Sequence, residues 1–446
     1  MEIIIKLSQF LLSLSLLIVL HELGHFIPAK LFKTKVEKFY LFFDIKFSLF
    51  KKKIGETVYG IGWLPLGGYV KIAGMVDESM DTEQLKQEPQ PWEFRSKPAW
   101  QRLIIMLGGV IVNFILAFII YIGVVWFYGN LDIKNSELKD GIWVTNTVLE
   151  QAGLQTGDKI IAVDGEEIES FFKMPEKILL GEKVEIERNG VQTTIDLPKN
   201  LIGQIVDENK KTMLSLRIPF VVAAVPEDSQ NLNKLQPKDI VKEINGQKIP
   251  YVDQLPAMLQ NMKGQTVTAK VLRNEKEENV ELQVDNDGKI GIAYASMIGI
   301  SDLEKLNIYK VYKNQYSFAE SIPLGIQKAT DQFTSIGKQL KKMINPSTGA
   351  YKGVGGFYGI YNIFPDVWSW EVFWSVTGFL SVMLGIMNLL PIPALDGGHV
   401  MFLLYEMITR RKPSENFMEK AQMVGFFILI ALLLFANGND IFRAFK

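Results

Sequence analysis

The chain has 446 residues, of which 48% are hydrophobic and 22% are charged, and its formal net charge is -1. This length exceeds that of one ordinary domain, and the near-neutral charge argues against a nucleic-acid-binding protein. The mixture of apolar and charged residues favours several membrane spans with a sizeable water-soluble part. Because the chain has no cysteine, any transition metal must be bound by His, Asp or Glu.

Four apolar segments are long enough to cross a bilayer as helices, since about 20 apolar residues span its hydrocarbon core. They cover residues 3–26, 103–128, 372–390 and 417–436. We interpret the first as a retained span and not as a cleaved signal peptide, because no small-residue cleavage site follows it. These segments predict an α-helical polytopic membrane protein.

Positive charges beside the spans predict the orientation of the chain in the membrane. Lysines and arginines are concentrated between the first and second spans and again between the third and fourth. Both of these loops are expected on the cytoplasmic side. The two termini and the long segment between the second and third spans are then extracytoplasmic.

The first span ends in His21-Glu22-Leu23-Gly24-His25. In a helix, His21 and His25 lie four residues apart and share one face. Two imidazoles on one face can bind zinc, and Glu22 between them can take a proton from an attacking water. The alternative is a helix end with two interfacial histidines, but ionisable groups within spans are costly and usually functional. We therefore predict a zinc site near the cytoplasmic end of this span.

The first cytoplasmic loop contains an apolar stretch, residues 58–73, that is rich in Gly and aromatic residues. Turn signals at Pro65 and Gly67-Gly68 predict a β-hairpin at membrane depth. Such backbone is tolerated there only where protein or a water-filled cavity meets its polar groups. A free strand edge could pair with an extended peptide; a hairpin that only stabilises the fold is the alternative. Residues 77–98 are predicted as a polar, acidic connector.

Between about residues 139 and 300 the pattern changes to short strands and turns, with a diverged internal repeat. The sequence DKIIAVDG at residues 158–165 aligns with DIVKEING at residues 239–246. Each copy predicts a strand, a turn, a helix (residues 170–180 and 252–262) and a hairpin. Asn189-Gly190 marks the turn of the first hairpin.

Residues 315–344 carry apolar side chains at helical spacing among polar ones. We expect an amphipathic helix in this segment. It lies either against the membrane surface or docked on protein, and the spacing of the residues favours neither alternative.

The third span ends in the sequence NLLPIPALDGGH, residues 388–399. Pro391 and Pro393 interrupt the helix, and Gly397-Gly398 allow a tight turn. This places Asp396 in a broken segment within or beside the membrane. A buried carboxylate needs a partner there, and a metal ion is a suitable one.

A catalytic zinc usually has three protein ligands. Asp396 is the candidate third ligand beside the two histidines of the first span, and His399 is its rival, since the spacing does not choose between them. A role of Asp396 as a helix cap is a further alternative.

Together, HELGH in the first span and N-x-L-P-I-P-x-L-D-G-G-H in a later one resemble the site-2 protease family of intramembrane zinc metalloproteases. The four spans and two inserted modules resemble its RseP-type bacterial branch. The resemblance implies that His21, His25 and Asp396 bind Zn2+, in preference to His399, and that Glu22 is catalytic. It also implies that Asn388 lies near the substrate. The segment that would present an edge strand to the substrate contains Gly67, Gly68, Tyr69 and Val70.

The two inserted modules resemble PDZ domains, on the sequence AGLQTGD at residues 152–158 followed by IIAVDG at residues 160–165. The second copy departs from this pattern, because Lys234 and Lys238 stand where the first has Gly153 and Gly157. Peptide binding by the second copy is therefore not implied. The second span also departs from the family, since its sequence GGVIVN at residues 108–113 lacks a proline that commonly follows the glycine; no function follows from that.

The predicted fold combines about four transmembrane helices with a membrane-associated β-hairpin and two inserted α+β PDZ-like domains. In chain order we expect the first transmembrane helix with HExxH (1–30), a cytoplasmic loop with a membrane-reentrant β-hairpin and linker (31–98), the second transmembrane helix (99–130), a first PDZ-like domain (139–215), a second PDZ-like domain (216–300), an amphipathic helical segment and connector (301–366), the third transmembrane helix with LDGGH (367–412), and the fourth transmembrane helix with the C-terminus (413–446).

The resemblance implies a zinc metalloendopeptidase of a bacterial inner (cytoplasmic) membrane that cleaves in or near transmembrane segments of pre-trimmed membrane proteins. Implied substrates are single-span proteins, such as an anti-sigma factor in envelope stress signalling, and signal-peptide remnants. The extracytoplasmic modules could exclude substrates with large ectodomains by size.

Two other functions fit parts of the sequence. A membrane zinc protease acting on soluble substrates is disfavoured by the D-G-G-H segment inside an apolar run. A non-catalytic PDZ adaptor with a structural zinc is disfavoured by Glu22, which a structural site does not need.

Overall fold

The computed structural model describes residues 2–65, 67–75, 88–208, 212–295, 300–305 and 308–445. Residues 77–87 of the predicted connector lie outside the described residues. The chain forms two compact units. The first unit comprises Met1–Gly129, Gln315–Ile344 and Lys352–Lys446, and the second comprises Asn130–Asn314 and Asn345–Tyr351.

Long helices dominate the first unit, and short strands dominate the second. The helices are α1 (Glu2–Leu31), α2 (Ala99–Tyr128), α3 (Thr147–Gln151), α4 (Met174–Leu180), α5 (Leu201–Glu208), α6 (Leu255–Gln260), α7 (Ile300–Lys305), α8 (Phe318–Ile344), α9 (Phe357–Tyr361), α10 (Trp370–Leu389), α11 (Asp396–Thr409) and α12 (Glu415–Ala444). The strands are β1 (Val36–Leu41), β2 (Phe43–Ile54), β3 (Thr57–Leu64), β4 (Tyr69–Ile72), β5 (Asn130–Asp132), β6 (Trp143–Val144), β7 (Lys159–Val163), β8 (Glu166–Glu167), β9 (Lys183–Arg188), β10 (Val191–Asp196), β11 (Leu214–Ser215), β12 (Phe220–Ala224), β13 (Ile240–Ile244), β14 (Gln247–Lys248), β15 (Thr266–Arg273), β16 (Lys276–Gln283), β17 (Ala293–Tyr294) and β18 (Tyr312–Asn314).

Helices α1, α2, α10 and α12 are long and apolar enough to cross a membrane, as predicted from the four apolar segments. The helices extend past the apolar runs, and α12 continues to Ala444. Helix α2 begins directly after Pro98, which forms its N-cap. Helix α10 ends at Leu389, because Pro391 disfavours helical backbone in the residue before it.

Glycine at the crossing of α1 and α2 allows the two backbones to come close. A Cβ atom added to Gly24 would lie 2.3 Å from the carbonyl oxygen of Gly108. Small residues are typical of such crossings in membranes, where dispersion contacts and interhelical hydrogen bonds drive helix association. A hydrogen bond of 2.9 Å between the hydroxyls of Ser13 and Thr377 joins α1 to α10 in the same unit.

The amphipathic helix α8 packs against α2. A Cβ atom on Gly325 would lie 2.5 Å from Cα of Ile122, and the ring of Phe333 contacts that of Phe114 with centroids 4.9 Å apart. Ala329 and Ile336 are buried in the same contact. Of the two alternatives for this segment, the structure therefore shows docking on protein.

The segment between α1 and α2 forms a four-stranded sheet in the order β2-β3-β1-β4. The predicted hairpin over residues 58–73 is wrong in its pairing, because β3 and β4 do not pair with each other. Strand β1 lies between them, parallel to β3 and antiparallel to β4. The physical reason is the apolar side of β1, where Val36 packs with Val70 and Ile72 in one core. The hairpin that does form joins β2 to β3.

The second unit contains the internal repeat. One sheet has the order β10-β9-β7-β8, and the other runs β16-β15-β13-β12-β17 with β14 paired to β13. In each copy a 3-10 turn leads into the predicted helix, Phe171–Lys173 before α4 and Val252–Gln254 before α6. Asn189 and Gly190 have positive φ in the turn between β9 and β10, as the sequence predicts.

Matched ion pairs show that the repeat is structural. In the first copy, Arg188 Nε donates to Asp158 Oδ1 at 2.7 Å, and its Nη2 donates to the carbonyl of Gly153. In the second, Arg273 Nη2 donates to Asp239 Oδ2 at 2.6 Å and to the carbonyl of Lys234. Each arginine lies at the end of the first strand of its hairpin, β9 or β15, and binds the turn that precedes β7 or β13 in its own copy.

Candidate metal centre

Three side chains converge at one point in the first unit. His21 and His25 come from one face of α1, and Asp396 is the first residue of α11. The two Nε2 atoms are 3.3 Å apart, and Asp396 Oδ2 lies 3.4 Å from each of them. Both histidines are buried. The spacing of the sequence motifs therefore corresponds to a compact triangle of donor atoms.

This triangle fits a zinc ion. Zinc binds imidazole nitrogen at about 2.0–2.1 Å in tetrahedral geometry, which sets neighbouring donor atoms about 3.3–3.4 Å apart. Asp396 Oδ2 is buried and has no hydrogen-bond partner among the described residues. A buried carboxylate oxygen without a partner is costly, so a cation is a suitable partner for it. Two imidazoles and a carboxylate are also a donor set that zinc prefers.

The segment before Asp396 is bent sharply to deliver the carboxylate. Ala394 adopts a positive φ of 99°, a conformation that is strained for a residue with a Cβ atom. Cβ atoms on Gly397 and Gly398 would lie 2.3 Å from the carbonyl oxygen of Leu390 and 2.6 Å from that of Ile392. Glycine is needed at both positions because α11 begins against the preceding turn. The N-cap of α11 is Leu395, with no side-chain cap, so the capping alternative for Asp396 is not observed.

One face of α2 packs against the two imidazoles. His25 Nδ1 is 2.8 Å from the carbonyl oxygen of Ile105. Because a carbonyl can only accept, Nδ1 carries the proton and the lone pair of Nε2 faces the triangle. A Cβ atom on Gly109 would lie 2.4 Å from His25 Nε2 and 2.6 Å from His21 Cε1. Gly109 therefore leaves the space that the imidazoles occupy.

Asn113 is a site residue to which the sequence motifs assigned no role. Its Nδ2 lies 3.0 Å from His21 Nδ1, and the side chain is fully buried on α2. A signal was present in the sequence, since an amide inside an apolar span is unusual and Gly109 and Asn113 share a helix face.

Asn388 and His399 were also predicted near the site, and the structure places the first at the donor triangle and the second away from it. Asn388, near the end of α10, places its Nδ2 3.2 Å from His21 Nε2 and so lies at the triangle. His399 instead contacts Gln422 of α12, with 3.1 Å between His399 Nε2 and Gln422 Nε2. The three-residue cluster that could hold a metal contains Asp396 and not His399.

The strand edge predicted to meet the substrate passes beside Glu22. A Cβ atom on Gly68 would lie 2.5 Å from Ile18 Cγ2 and 3.5 Å from Glu22 Cγ. Tyr69 and Val70 follow in β4, the edge strand, whose outer side pairs with no other strand among the described residues. Val70 is buried in the core beneath the sheet. Gly67 lies over the ring of Phe43.

The chain is similar to known proteins over almost its whole length. Residues 9–432 match the sequence model of peptidase family M50. Regulator of sigma E protease of Haemophilus influenzae is 29% identical over 467 residues, covering 98% of this chain and 99% of that protein. A Campylobacter jejuni protein, whose name describes a zinc metalloprotease, is 29% identical over 435 residues, covering 97% and 92%.

Among solved structures, the chain is similar to the PDZ domain of the SdrC-like protein of Listeria innocua. The sequence identity is 26%, the match covers 18% of this chain and 97% of that domain, and the TM-score is 0.17. At that TM-score the similarity supports no conclusion about the fold.

Proposed function

Because the chain belongs to peptidase family M50 and is a zinc metalloendopeptidase of the site-2 type, we propose that it cleaves peptide bonds in or near transmembrane segments. One observation carries the proposal. The donor triangle combines His21 and His25 of α1, a helix that can cross a membrane, with Asp396, which follows α10, another such helix. A site built from spans is reached most directly by a substrate that is itself in the membrane.

In the proposed site, His21, His25 and Asp396 hold zinc. Zinc, when bound, polarises the scissile carbonyl and makes water a stronger acid. Glu22 follows His21 on α1, takes the proton of the attacking water and delivers it to the leaving amine. Asn388 Nδ2, beside His21, donates a hydrogen bond to the substrate backbone.

The substrate must be extended before it can be cleaved, because a helix hides its carbonyl groups in hydrogen bonds. We assign this task to the outer edge of β4. An extended peptide can add to a free strand edge through main-chain hydrogen bonds. The approach of Gly68 to Glu22 brings that edge to the proposed general base.

The two repeated modules are proposed to be extracytoplasmic PDZ-like domains, with both chain termini on the same side of a bacterial inner membrane. The matched Arg188–Asp158 and Arg273–Asp239 pairs support a duplicated module. The modules are inserted in the chain between α2 and α10, and they exclude proteins with large ectodomains by size. Substrates then need prior trimming.

The proposed substrates are single-span membrane proteins, such as an anti-sigma factor, and signal-peptide remnants. The name of the Haemophilus influenzae relative, a regulator of sigma E protease, supports the first class.

The test uses purified full chain in detergent and a tagged transmembrane substrate trimmed on its extracytoplasmic side. Glu22→Gln is expected to retain bound zinc and to lose cleavage by about a hundredfold or more. Glu371→Gln, an exposed carboxylate at the start of α10, is the matched control and should cleave like wild type. Equal cleavage by Glu22→Gln and wild type would contradict the proposed base.

A second arm of the same experiment tests the alternative functions. A soluble, unstructured peptide that carries the same cleavage sequence is offered in place of the membrane substrate. Preference for the soluble peptide would favour a membrane protease of soluble proteins. Cleavage of neither substrate by zinc-loaded wild type would favour an adaptor.

A further inference from the structure

Asn113 is a buried amide with one unused polar atom. Its exposed fraction is 0%, and its Oδ1 has no hydrogen-bond partner among the described residues. Its Nδ2 faces His21 Nδ1 at 3.0 Å. Burying an amide without its hydrogen bonds is unfavourable, so this side chain is expected to serve a specific partner, and the partner within reach is His21.

The chemistry of the histidine decides which amide atom must face it. His21 Nε2 belongs to the donor triangle, so its lone pair has to be free. In a neutral imidazole the proton then resides on Nδ1, which becomes a donor. An amide NH2 group cannot accept that proton. A half-turn of the amide about its terminal bond exchanges the two atoms and presents Oδ1 to His21 Nδ1.

With that orientation, both imidazoles are held in the same way by α2. The carbonyl oxygen of Ile105 accepts from His25, and Asn113 Oδ1 accepts from His21, on either side of Gly109. The three α2 positions are spaced by four residues and share one helix face. The backbone carbonyl oxygen of Asn113 accepts a hydrogen bond of 2.7 Å from the hydroxyl of Ser381, which joins α2 to α10 at this residue.

We propose that Asn113 is a positioning residue for the zinc site. Its Oδ1 accepts a hydrogen bond from His21 Nδ1 and so keeps the lone pair of His21 Nε2 free for the metal. The inference rests on the proposed ligand set of His21, His25 and Asp396. Hydrogen-bond partners behind a metal ligand typically change metal affinity by about 10–100-fold.

The experiment measures zinc affinity of the purified full chain by competition with a chelator. Asn113→Leu removes the acceptor, keeps the branching and the number of side-chain heavy atoms, and should weaken zinc binding by about 10–100-fold. Asn113→Asp keeps an acceptor at the same place and cannot donate, so its affinity should stay within about tenfold of wild type. Ser13→Ala, which removes another fully buried interhelical hydrogen bond, is the control and should bind zinc like wild type.

Each outcome decides a separate point. Unchanged affinity in Asn113→Leu would overturn the inference. Equal weakening in Asn113→Asp and Asn113→Leu would show that the amide donates and would also overturn it. His21→Ala should abolish tight zinc binding; if it does not, the ligand set itself fails, and this inference with it. Loss in His21→Ala with no loss in Asn113→Leu leaves the ligand set standing and removes only Asn113.

A second, independent feature is a basic recess on the sheet of the first unit. Strand β2 pairs Phe43 with Leu64 and next Ser48 with Gly62, so the residues between them bulge out of the ladder. The recess beside this bulge has a volume of about 530 Å³. Four lysines line it, with a single carboxylate, Asp44: they are Lys38, Lys46, Lys51 and Lys53. Asp44 already accepts a hydrogen bond of 2.8 Å from the hydroxyl of Tyr69.

Exposed apolar side chains surround the recess. Phe47 stacks on Trp63 with centroids 5.8 Å apart, and their exposed fractions are 57% and 41%. Leu49 and Phe50 on the same strand are exposed by more than half. The sheet lies beside the span α1, since Gly68 packs on Ile18. Aromatic residues beside lysines are typical of the membrane interface.

The geometry points to an anionic phospholipid whose phosphate lies among the lysines and whose acyl chain covers Phe47 and Trp63. Charge complementarity favours this occupant, because the lysines outnumber the carboxylate and each lysine near an anionic surface strengthens binding about fivefold. A free phosphate ion shares the headgroup chemistry but would leave the apolar side chains uncovered.

The test is lipid retention by the full chain, measured by native mass spectrometry from micelles with equal phosphatidylglycerol and phosphatidylcholine. Wild type should retain phosphatidylglycerol preferentially. The variant Lys46→Gln/Lys51→Gln/Lys53→Gln should retain at least about fivefold less. The control Lys199→Gln/Lys248→Gln/Lys263→Gln removes three exposed lysines of the second unit and should retain as much as wild type. Equal retention by both triple variants, or full displacement by millimolar inorganic phosphate, would overturn the lipid site.

Discussion

His21 Nε2 lies 3.4 Å from Asp396 Oδ2, although the two residues come from opposite ends of the chain. Helix α1 and the segment after α10 therefore contribute to one site. The same triangle includes His25 and leaves out His399, which contacts α12 instead. Substitutions at the ligands, in the space around them and at the strand edge beside them should therefore have separable effects on zinc binding and on cleavage.

Asp396→Asn should lower zinc affinity by more than about a hundredfold, because a direct ligand should contribute more than a hydrogen-bonded partner behind one. The neutral amide also removes the buried negative charge that pairs with the metal. Zinc content after dialysis against a weak chelator measures the effect. Asp366→Asn is the control, since that exposed carboxylate pairs with Lys6 near the other end of α1. Retained zinc in Asp396→Asn would contradict the ligand set.

His399→Gln should bind zinc like wild type, because His399 contacts Gln422 and does not belong to the donor triangle. The zinc content of this variant is compared directly with that of Asp396→Asn. If instead His399→Gln loses zinc and Asp396→Asn keeps it, the roles of the two residues are reversed.

Gly109→Ala should abolish zinc binding, because the added Cβ atom would lie 2.4 Å from His25 Nε2. Gly123→Ala on the same helix α2 is a matched control, since among the described residues its added Cβ atom meets nothing within 4 Å beyond its chain neighbours and the adjacent backbone of its own helix. An alanine there should stabilise the helix by up to about 1 kcal/mol. Zinc content and thermal unfolding in detergent are measured for both. Equal zinc content in the two variants would show that Gly109 does not border the ligands.

Gly68→Ala should reduce cleavage while zinc stays bound. Its Cβ atom would lie 2.5 Å from Ile18 Cγ2 and 2.8 Å from the carbonyl oxygen of Tyr40, so β4 must move away from Glu22. Initial rates on a transmembrane substrate, with zinc content in parallel, measure the effect. Gly337→Ala on α8 serves as the control, since its added Cβ atom meets nothing in the described part of the chain. A wild-type rate in Gly68→Ala would argue against the edge of β4 as the substrate-binding strand.

Asp158→Asn and Asp239→Asn should each destabilise their own copy of the repeat. Both carboxylates are almost fully buried and pair with an arginine that is also partly buried. Breaking one partner of a buried pair costs about 3 kcal/mol or more. Hydrogen exchange on the full chain should show faster exchange in β7 and β9 for the first variant and in β13 and β15 for the second. Asp196→Asn breaks an exposed pair with Lys183 and should change exchange little.

Much of the local structure was predictable from the sequence, because its causes lie within short segments. Apolar length predicts a span, so the four helices that are long and apolar enough to cross a membrane were found, although they extend past the apolar runs. Prolines after Asn388 ended α10, and the Asn-Gly turn located the hairpin of the first module. The HELGH motif placed two imidazoles on one helix face, because the helical period alone brings His21 and His25 together.

Other features depended on contacts between distant segments. Strand β1 inserts between β3 and β4, and no local signal in its lysine-containing sequence predicts this. The docking of α8 follows from the contact of Gly325 with Ile122, which amphipathic spacing does not reveal. Asn113 stands out as an amide in the apolar segment GGVIVN, but its partner lies on another helix.

The four helices able to cross a membrane, the internal repeat and the residue types of a zinc site follow from the sequence alone. Composition, periodicity and spacing set those properties, and they act over a few turns of chain. The spacing of the residues left Asp396 and His399 as rivals, and only the family resemblance favoured Asp396; the tertiary structure brings Asp396 to the two histidines and places Ile105, Gly109 and Asn113 around them. Hydrogen bonds and close approaches of a few ångströms depend on how whole helices pack, and packing is a property of the assembled chain.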